Sequence, residues 1–401
     1  MAIRQEGREG RQKPPSAQRR LLRIPAALVA LALIGGACAE PTTVSQTWPE
    51  GNLLVARTTA LRRLLEHLGG LEGTPIARRA ALLLHSLPDC AWVEARSSSG
   101  DDDLWPTLGC FDRNGDLADL DRTRGEADIA FVLAGPAHDR TVGTLTVSQG
   151  GDVAAEILLP ESRFEKARAL LLPDREAAGP TLLNHTDELV HVRLRPEGGI
   201  DIASLVPASS QADRMFRLKS ELFAGAVLDG TWEAAVYLPE PGHPMPRAAL
   251  AVGFVLREPA VRAMEGFLTE LLSAWPLRRS DFVLGSARGA CLLGLKLMPD
   301  FSPCYAATET ALVIGWNAAS VRKALLRETP ATRADDTPQP THTLTVELAR
   351  IPEADAHFAG LEPEATQLAT TAWPWRRLTA DGEREAGAVR VRIRLDGGSG
   401  A

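Results

Sequence analysis

Short strand-like segments recur along the chain, and they constrain its fold more than any other feature of the sequence. In the clearest of them, 188–195 and 388–395, apolar and polar residues alternate, which places each kind of side chain on one face of a strand. Strands with one apolar and one polar face are typical of antiparallel sheets. We expect further strands at 127–135, 141–149, 153–160, 231–239, 247–256, 290–299, 310–317 and 344–350.

Helices are expected between these strands. From Leu53 to Leu87 leucines recur at helical spacings, and Gly69-Gly70 divides this run into two helices. In the second half, LAVGF at 250–254 and LVIGW at 312–316 each end a strand and lead into a helix, a degenerate repeat of about 60 residues. The predicted fold class is α+β. It has antiparallel sheet built from repeated hairpin–helix units, helices packed on one face, and a short N-terminal helical segment.

The N-terminus has the organisation of a secretory signal peptide, which we assign to residues 1–37. Residues 1–23 are polar and basic, and 24–37 form an apolar run that ends in Gly35-Gly36-Ala37. This run is shorter than the roughly 20 residues that a membrane-spanning helix needs. A basic start, a short apolar middle and small residues at the end predict that the chain is exported.

Two processing routes are open at the end of this peptide. Ala37-Cys38-Ala39 fits the small-x-small pattern of ordinary signal peptidase, which would cleave before Glu40. Alternatively, Ile34–Cys38 resembles the lipobox of bacterial lipoproteins, with Gly35 at a position where that family usually has an aliphatic residue.

The lipoprotein resemblance implies a membrane address. Cys38 would be acylated, for example with palmitate, and would become the first residue of the mature chain. Residues 38–52 would form a polar tether, and Ala39 after the cysteine implies the outer membrane, with the protein facing the periplasm. The first route would instead yield a soluble periplasmic or secreted protein.

Beyond the tether, composition divides the chain into two regions. We assign an N-terminal α+β region to 53–172 and a C-terminal α+β domain to 181–395. Residues 328–341 are rich in Pro and Thr without periodicity, and they predict a loop inside the second domain.

The cysteines favour two local disulfides. Either processing route removes Cys38 from the pool of thiols and leaves Cys90, Cys110, Cys291 and Cys304. An oxidising compartment favours the bonds Cys90–Cys110 and Cys291–Cys304, although three connectivities are formally possible. These spacings are wider than those of zinc-binding cysteines, so no zinc is expected there.

Net charge limits the possible partners. The full chain carries a net charge of −7, and removal of the seven basic and two acidic residues of 1–37 makes it −12. Nucleic-acid binding needs clustered positive charge, so we expect no nucleic acid as a partner.

One basic feature stands out against this acidic background. Arginines alternate with apolar residues on two predicted strands, so each set shares one face. Such guanidinium groups could bind an anionic component of the envelope. The alternative is a solvent-exposed face whose arginines pair with acidic neighbours such as Glu347. The candidate anion-binding residues are Arg193, Arg195, Arg390, Arg392 and Arg394.

Two motifs resemble metal sites incompletely. Asp112, Asn114 and Asp116 match the first positions of a calcium loop, but the remaining ligands are missing and Asn114-Gly115 favours a hairpin turn. His185, Asp187 and His191 would share one face of a strand, where Asp187 and His191 would lie about 13 Å apart. We therefore expect a solvated polar edge there, and the sequence predicts neither a metal site nor a cofactor.

Ser286 lies in GSARG at 285–289, which is similar to a nucleophile elbow. A strand follows this motif, whereas an elbow needs a helix, so a hairpin turn is expected instead. The sequence therefore contains no catalytic signature. It predicts a non-catalytic exported lipoprotein of the cell envelope that binds an envelope protein or an anionic ligand, or has a structural role. A periplasmic hydrolase or a lipid carrier, with a site formed only in three dimensions, is the alternative.

Overall fold

The protein is described here by a computed structural model, and all described residues belong to one compact unit that spans 45–401. None of its described helices is long and apolar enough to cross a membrane. Cys38, the signal peptide, the tether, the motif at 112–116 and most of the Pro/Thr-rich loop lie outside the described residues. The described residues are 53–71, 75–96, 107–111, 127–134, 140–162, 172–174, 181–185, 187–197, 228–238, 247–274, 276–294, 301–325, 340–352, 374–385 and 387–397.

The described strands form a single antiparallel sheet of 16 strands. Their order in the sheet is β10-β11-β12-β13-β9-β8-β7-β14-β15-β16-β6-β5-β4-β1-β2-β3. The strands, numbered β1 to β16 along the chain, are Leu53–Arg57, Trp92–Arg96, Thr107–Cys110, Ile129–Ala134, Arg140–Val147, Val153–Pro160, Glu188–Leu194, Leu228–Tyr237, Arg247–Phe254, Arg278–Leu284, Ala287–Leu293, Cys304–Ala307, Ala311–Gly315, His342–Val346, Trp375–Glu385 and Ala388–Gly397.

Four α-helices and one 3₁₀ turn accompany the sheet in the described part of the chain. Helix α4 begins at a polar cap, because the side chain of Asn317 accepts a hydrogen bond from the backbone N–H of Ser320 at 2.8 Å. The helices α1 to α4 are Thr58–Gly69, Pro75–His85, Arg257–Ala274 and Ala318–Leu325, and the 3₁₀ turn is Leu348–Arg350.

The prediction of helices on one face is wrong. Helix α4 packs on the face of the sheet that carries Ala306 and Val313, whereas α3 packs on the face that carries Tyr305 and Leu312. The strands β9, β12 and β13 are apolar on both faces, so each face needs a helix to cover it. The fold is therefore mostly antiparallel sheet, and it is not an α+β assembly of repeated hairpin–helix units.

The N-terminal helical segment is also shorter than its leucine pattern predicted. Residues 53–57 form β1, which pairs with β2 on one side and β4 on the other. Val55 and Ala56 point to opposite faces of the sheet, and both are buried. A strand that is buried on both faces does not alternate apolar and polar residues. In the sequence, five mostly apolar residues directly before a helix therefore resemble the first turn of that helix.

Both disulfides predicted from the sequence are present. Cys291 and Cys304 are direct neighbours across β11 and β12, with their Cα atoms 4.0 Å apart. Cys90 precedes β2 and bonds to Cys110 at the end of β3, with a Cα separation of 5.9 Å. Disulfides persist in oxidising compartments, so these two bonds indicate a non-cytoplasmic environment.

A polar contact fastens α3 to the sheet. Glu265 on α3 accepts hydrogen bonds from the guanidinium of Arg279 on β10, at 2.5 and 3.0 Å, and from the hydroxyl of Tyr305 on β12. The hydrogen bonds from Arg279 hold the pKa of Glu265 below its usual value, although partial burial opposes this shift. The ionised carboxylate therefore favours the folded state.

This contact predicts a component of acid sensitivity. Because the pKa of Glu265 is lower in the folded state, its contribution to stability is present above its usual value of 4.5 and is lost as the pH falls through the folded value. In urea unfolding at pH 7 and at pH 3, Glu265→Gln should lose less stability on acidification than the wild type. The control is Glu309→Gln, a change at an exposed position, which should follow the wild type. An equal loss in all three proteins would contradict the prediction.

Close packing between β4 and β5 gives a second prediction. A Cβ atom at Gly143 would lie 2.3 Å from the ring of Phe131, which is buried on the neighbouring strand. We expect Gly143→Ala to lower the free energy of unfolding by about 1–3 kcal/mol, because the ring has to move within a packed core. At Gly109 the nearest atom would lie at 3.9 Å, so Gly109→Ala is the matched control and should cost little. Equal urea midpoints for the two variants would show this packing argument to be wrong.

Candidate functional site

Strand β7 buries its polar side chains. His191 is 4% exposed and Arg193 is 2% exposed, whereas Val190 and Val192 on the other face are half-buried. The sequence pattern is that of a half-exposed strand whose polar side faces water, so the expected solvated edge is wrong for His191. Alternation alone does not say which face is covered.

The buried carboxylate of Glu233 explains how β7 tolerates these groups. Glu233 lies opposite Arg193 on the adjacent strand β8, it is 0% exposed, and its Oε1 lies 3.4 Å from Nε of Arg193. Its Oε2 accepts hydrogen bonds from the backbone N–H groups of Leu182 and Leu183, at 2.8 and 2.7 Å. The carboxylate is thus held from two sides.

The neighbours of Glu233 keep it ionised. Burial by itself would raise the pKa of this carboxyl group. His191, the backbone N–H of Leu183 and the charge of Arg193 outweigh that effect and hold the pKa below its usual range. The group therefore carries a negative charge inside the protein at neutral pH.

A second histidine lies beside this carboxylate. The rings of His185 and His191 are 4.2 Å apart between centroids and meet edge to face. Nδ1 of His185 lies 3.1 Å from Oε2 of Glu188, and Nε2 of His191 lies 3.8 Å from Oε2 of Glu233. One ligand atom from each of His185, His191 and Glu233 lies within 4.8 Å of the others. We call these three residues the His–Glu cluster.

The chain bends sharply just before β7, which brings His185 back over the sheet. Asp187 has a φ of 59°, and β7 begins only at Glu188. One extended strand over 184–191 would place His185 and Asp187 on the face of His191, as the sequence pattern predicts. In the structure, Asp187 points elsewhere and forms ion pairs with Lys323 at 2.8 Å and with Arg350 at 3.7 Å.

The segment that carries His185 is anchored on both sides. The hydroxyl of Tyr237 donates a hydrogen bond to the backbone oxygen of Asn184 at 2.9 Å, and the N–H of Asn184 donates to the carbonyl of Ala324 in α4. Burial raises the pKa of Tyr237 well above its usual value, so this hydroxyl keeps its proton. The position of His185 is therefore set by the core beneath it.

Glu233 is the member of the cluster that the sequence analysis missed. It lies within the predicted strand 231–239, whose neighbouring residues are mostly apolar. A lone carboxylate inside an apolar strand was the available signal, because such a group needs a buried partner. Its pairing with β7 was not visible, since 40 positions of the chain separate Glu233 from its partner Arg193.

Carboxylates surround most of the arginines proposed to bind anions. Arg392 on β16 faces Asp381 at 3.3 Å and Glu383 at 3.0 Å, both on β15. Arg390 lies 2.8 Å from Glu385. Burial raises the pKa of Asp381 against the opposing effect of Arg392. These arginines thus have acidic neighbours, whereas Glu347, the neighbour named from the sequence, lies 2.5 Å from Arg377.

The two arginine strands also lie apart. Strands β14 and β15 separate β7 from β16 in the sheet. Arg195 lies 3.4 Å from Asp174, and Arg394 is exposed on β16. Anion binding by these residues stays a prediction, and an anion would have to compete with the carboxylates that already face four of them.

Ser286 occupies a hairpin turn, as expected. It lies with Gly285, whose φ is 59°, between the paired residues Leu284 and Ala287 of β10 and β11. A two-residue turn with a positive φ joins antiparallel strands tightly. The elbow geometry of a nucleophile is thus not formed at this position.

Comparisons with protein-family models, with curated proteins and with solved structures find no match to this chain.

The buried pair of Glu233 and Arg193 gives a testable consequence. Glu233→Gln removes the negative charge opposite a buried guanidinium, and we expect it to lower the free energy of unfolding by about 3 kcal/mol. Asp187→Asn is the matched control, because it makes the same chemical change in an exposed ion pair and should cost about 1 kcal/mol or less. Urea unfolding at pH 7 measures both. A similar small loss in the two variants would contradict the expected role of burial.

Proposed function

We propose that this chain is a lipid-anchored protein of the bacterial cell envelope that works by binding a partner. Two observations support the address. The N-terminal segment 1–37 has the organisation of a signal peptide that ends next to Cys38. The two disulfides favour an oxidising compartment, and the periplasm is one.

The observation that carries the binding role is the charged surface of β15 and β16. On one face of these neighbouring strands, basic and acidic side chains alternate in sign across the register, as in the pairs Arg392–Asp381 and Arg390–Glu383. Their side chains are only partly buried. A surface of mixed sign suits the complementary charges of a protein partner better than a uniformly anionic headgroup.

The broad sheet supports the same reading. Strands β15 and β16 lie inside this sheet, and rigid elements hold binding residues more accurately than loops do. In this proposal the acyl chain on Cys38 holds the protein at the outer membrane, and the sheet presents its charged face to an envelope protein.

The experiment that tests the address compares the wild type with Cys38→Ser in a bacterial host that processes lipoproteins. Intact mass and membrane fractionation are measured for both. We expect the wild type to carry the mass of two or three acyl chains and to sediment with membranes, because a single chain would bind only marginally. The variant should lose both the added mass and the sedimentation.

The opposite result is equally clear. A mature wild-type chain that begins at Glu40, carries no acyl mass and remains soluble would show that ordinary signal peptidase processes the protein. The proposal of a lipid anchor would then be wrong, and a soluble periplasmic or secreted protein would replace it.

A further inference from the structure

We propose that the His–Glu cluster of His185, His191 and Glu233 is a binding site for one divalent transition-metal ion, with Zn²⁺ as the best match. One potential ligand atom from each residue lies within 4.8 Å of the others. The three residues come from the segment before β7, from β7 and from β8, so one ion would join three parts of the chain. This site is independent of the lipid anchor and of the proposed partner.

The unsatisfied nitrogen of His191 is the strongest support for this site. His191 is 4% exposed, and its Nε2 makes no hydrogen bond within the described residues. Buried polar atoms are nearly always paired, so a buried imidazole nitrogen without a partner needs an explanation. It lies 3.8 Å from Oε2 of Glu233, too far for a hydrogen bond, whereas an ion between them would engage both atoms.

Neighbouring groups already orient the other two ligands. The N–H groups of Leu182 and Leu183 hold Oε2 of Glu233 at 2.8 and 2.7 Å, which fixes this carboxylate beside the two imidazoles. Glu188 lies 3.1 Å from Nδ1 of His185. A carboxylate on one ring nitrogen, with the metal on the other, is the usual arrangement of metal-binding histidines.

The donor set selects the type of ion. Two imidazoles and one carboxylate suit Zn²⁺ and similar ions, which take three protein ligands and leave a fourth position for water or another ligand. Ca²⁺ and Mg²⁺ need about six oxygen ligands, and this cluster offers one carboxylate among two nitrogens. The His185 side chain is 37% exposed, which gives an ion a path from solvent to the cluster.

Arg193 limits the affinity of this site. Its guanidinium lies 3.4 Å from Oε1 of Glu233, so a bound cation would sit near a fixed positive charge. Glu188 and Glu233 together supply two negative charges against it. We therefore expect micromolar or somewhat tighter binding, weaker than that of structural zinc sites with several thiolates.

The test uses the untagged mature chain with Cys38→Ser, which lacks both lipid and a free thiol. Zn²⁺ is titrated in competition with a chromophoric chelator at pH 7.5, and Co²⁺ is titrated separately to record the visible absorption bands of a protein-bound ion. We expect one Zn²⁺ per chain, and Co²⁺ bands that Zn²⁺ abolishes.

Three variants identify the ligands. His185→Gln should weaken Zn²⁺ binding about 100-fold or more, and Glu188→Gln should weaken it about 10-fold because it only orients His185. His85→Gln, an exposed histidine at the end of α2, is the control and should bind like the parent. His185 is partly exposed, so its variant should keep the fold, which circular dichroism checks.

Three results would overturn the proposal. The first is that the folded parent chain binds no Zn²⁺ even when the free Zn²⁺ concentration is raised about 100-fold above micromolar. The second is that His185→Gln binds Zn²⁺ as the parent does. Loss of binding in His85→Gln to the same degree as in His185→Gln would also contradict it, because the ion would then bind elsewhere.

Discussion

The pairing of β16 with β6 is the contact on which the rest of the sheet depends. Among the described strands it is the single pairing that joins β1–β6 to the other strands, through eight residue pairs from Ala388 to Leu395. Side chains reinforce it, since Arg384 on β15 bridges Glu161 and Glu197 at 2.7 and 2.6 Å. Strand β16 thus links the two halves of the chain, because its neighbours in the sheet, β6 and β15, are far apart in sequence.

One row of side chains shows how the sheet tolerates charge at its centre. Six residues lie opposite one another on six consecutive strands and share one face, with signs that alternate on either side of a threonine. Each charge therefore has an opposite charge on an adjacent strand, which lowers the cost of removing it from water. In order, the row is Glu156, Arg392, Asp381, Thr343, Arg193 and Glu233.

The two ends of this row differ in burial, and this difference separates the two proposed roles. Around Arg392 the charges are partly exposed, so they are available to a partner at the surface. Around Glu233 the segment 181–185 and α4 cover the sheet, so the charges are buried with two histidines beside them. Covering a charged face costs free energy unless every group finds a partner, and an ion in the His–Glu cluster would supply the partner that His191 lacks.

Local features of the protein could be predicted from the sequence. The disulfides close short loops, the hairpin at Ser286 depends on a two-residue turn, and the strand at 388–395 follows from its alternation. Each of these depends on residues that are near one another in the chain. The proposed export signal would also be local, because it lies within residues 1–37, and both the signal and its processing stay predictions.

The sheet order, the covered faces and the His–Glu cluster were decided only by the tertiary structure. A period of two divides a strand into two faces but does not say which face another element covers, so His191 was expected at a solvated edge although it is buried. From the sequence, Val55 was expected in a helix. In the structure it belongs to β1, which pairs with β2 on one side and with β4 on the other. Glu233 lies close to His185 because the bend at Asp187 and the pairing of β7 with β8 bring distant positions of the chain together. No local sequence pattern predicts this proximity.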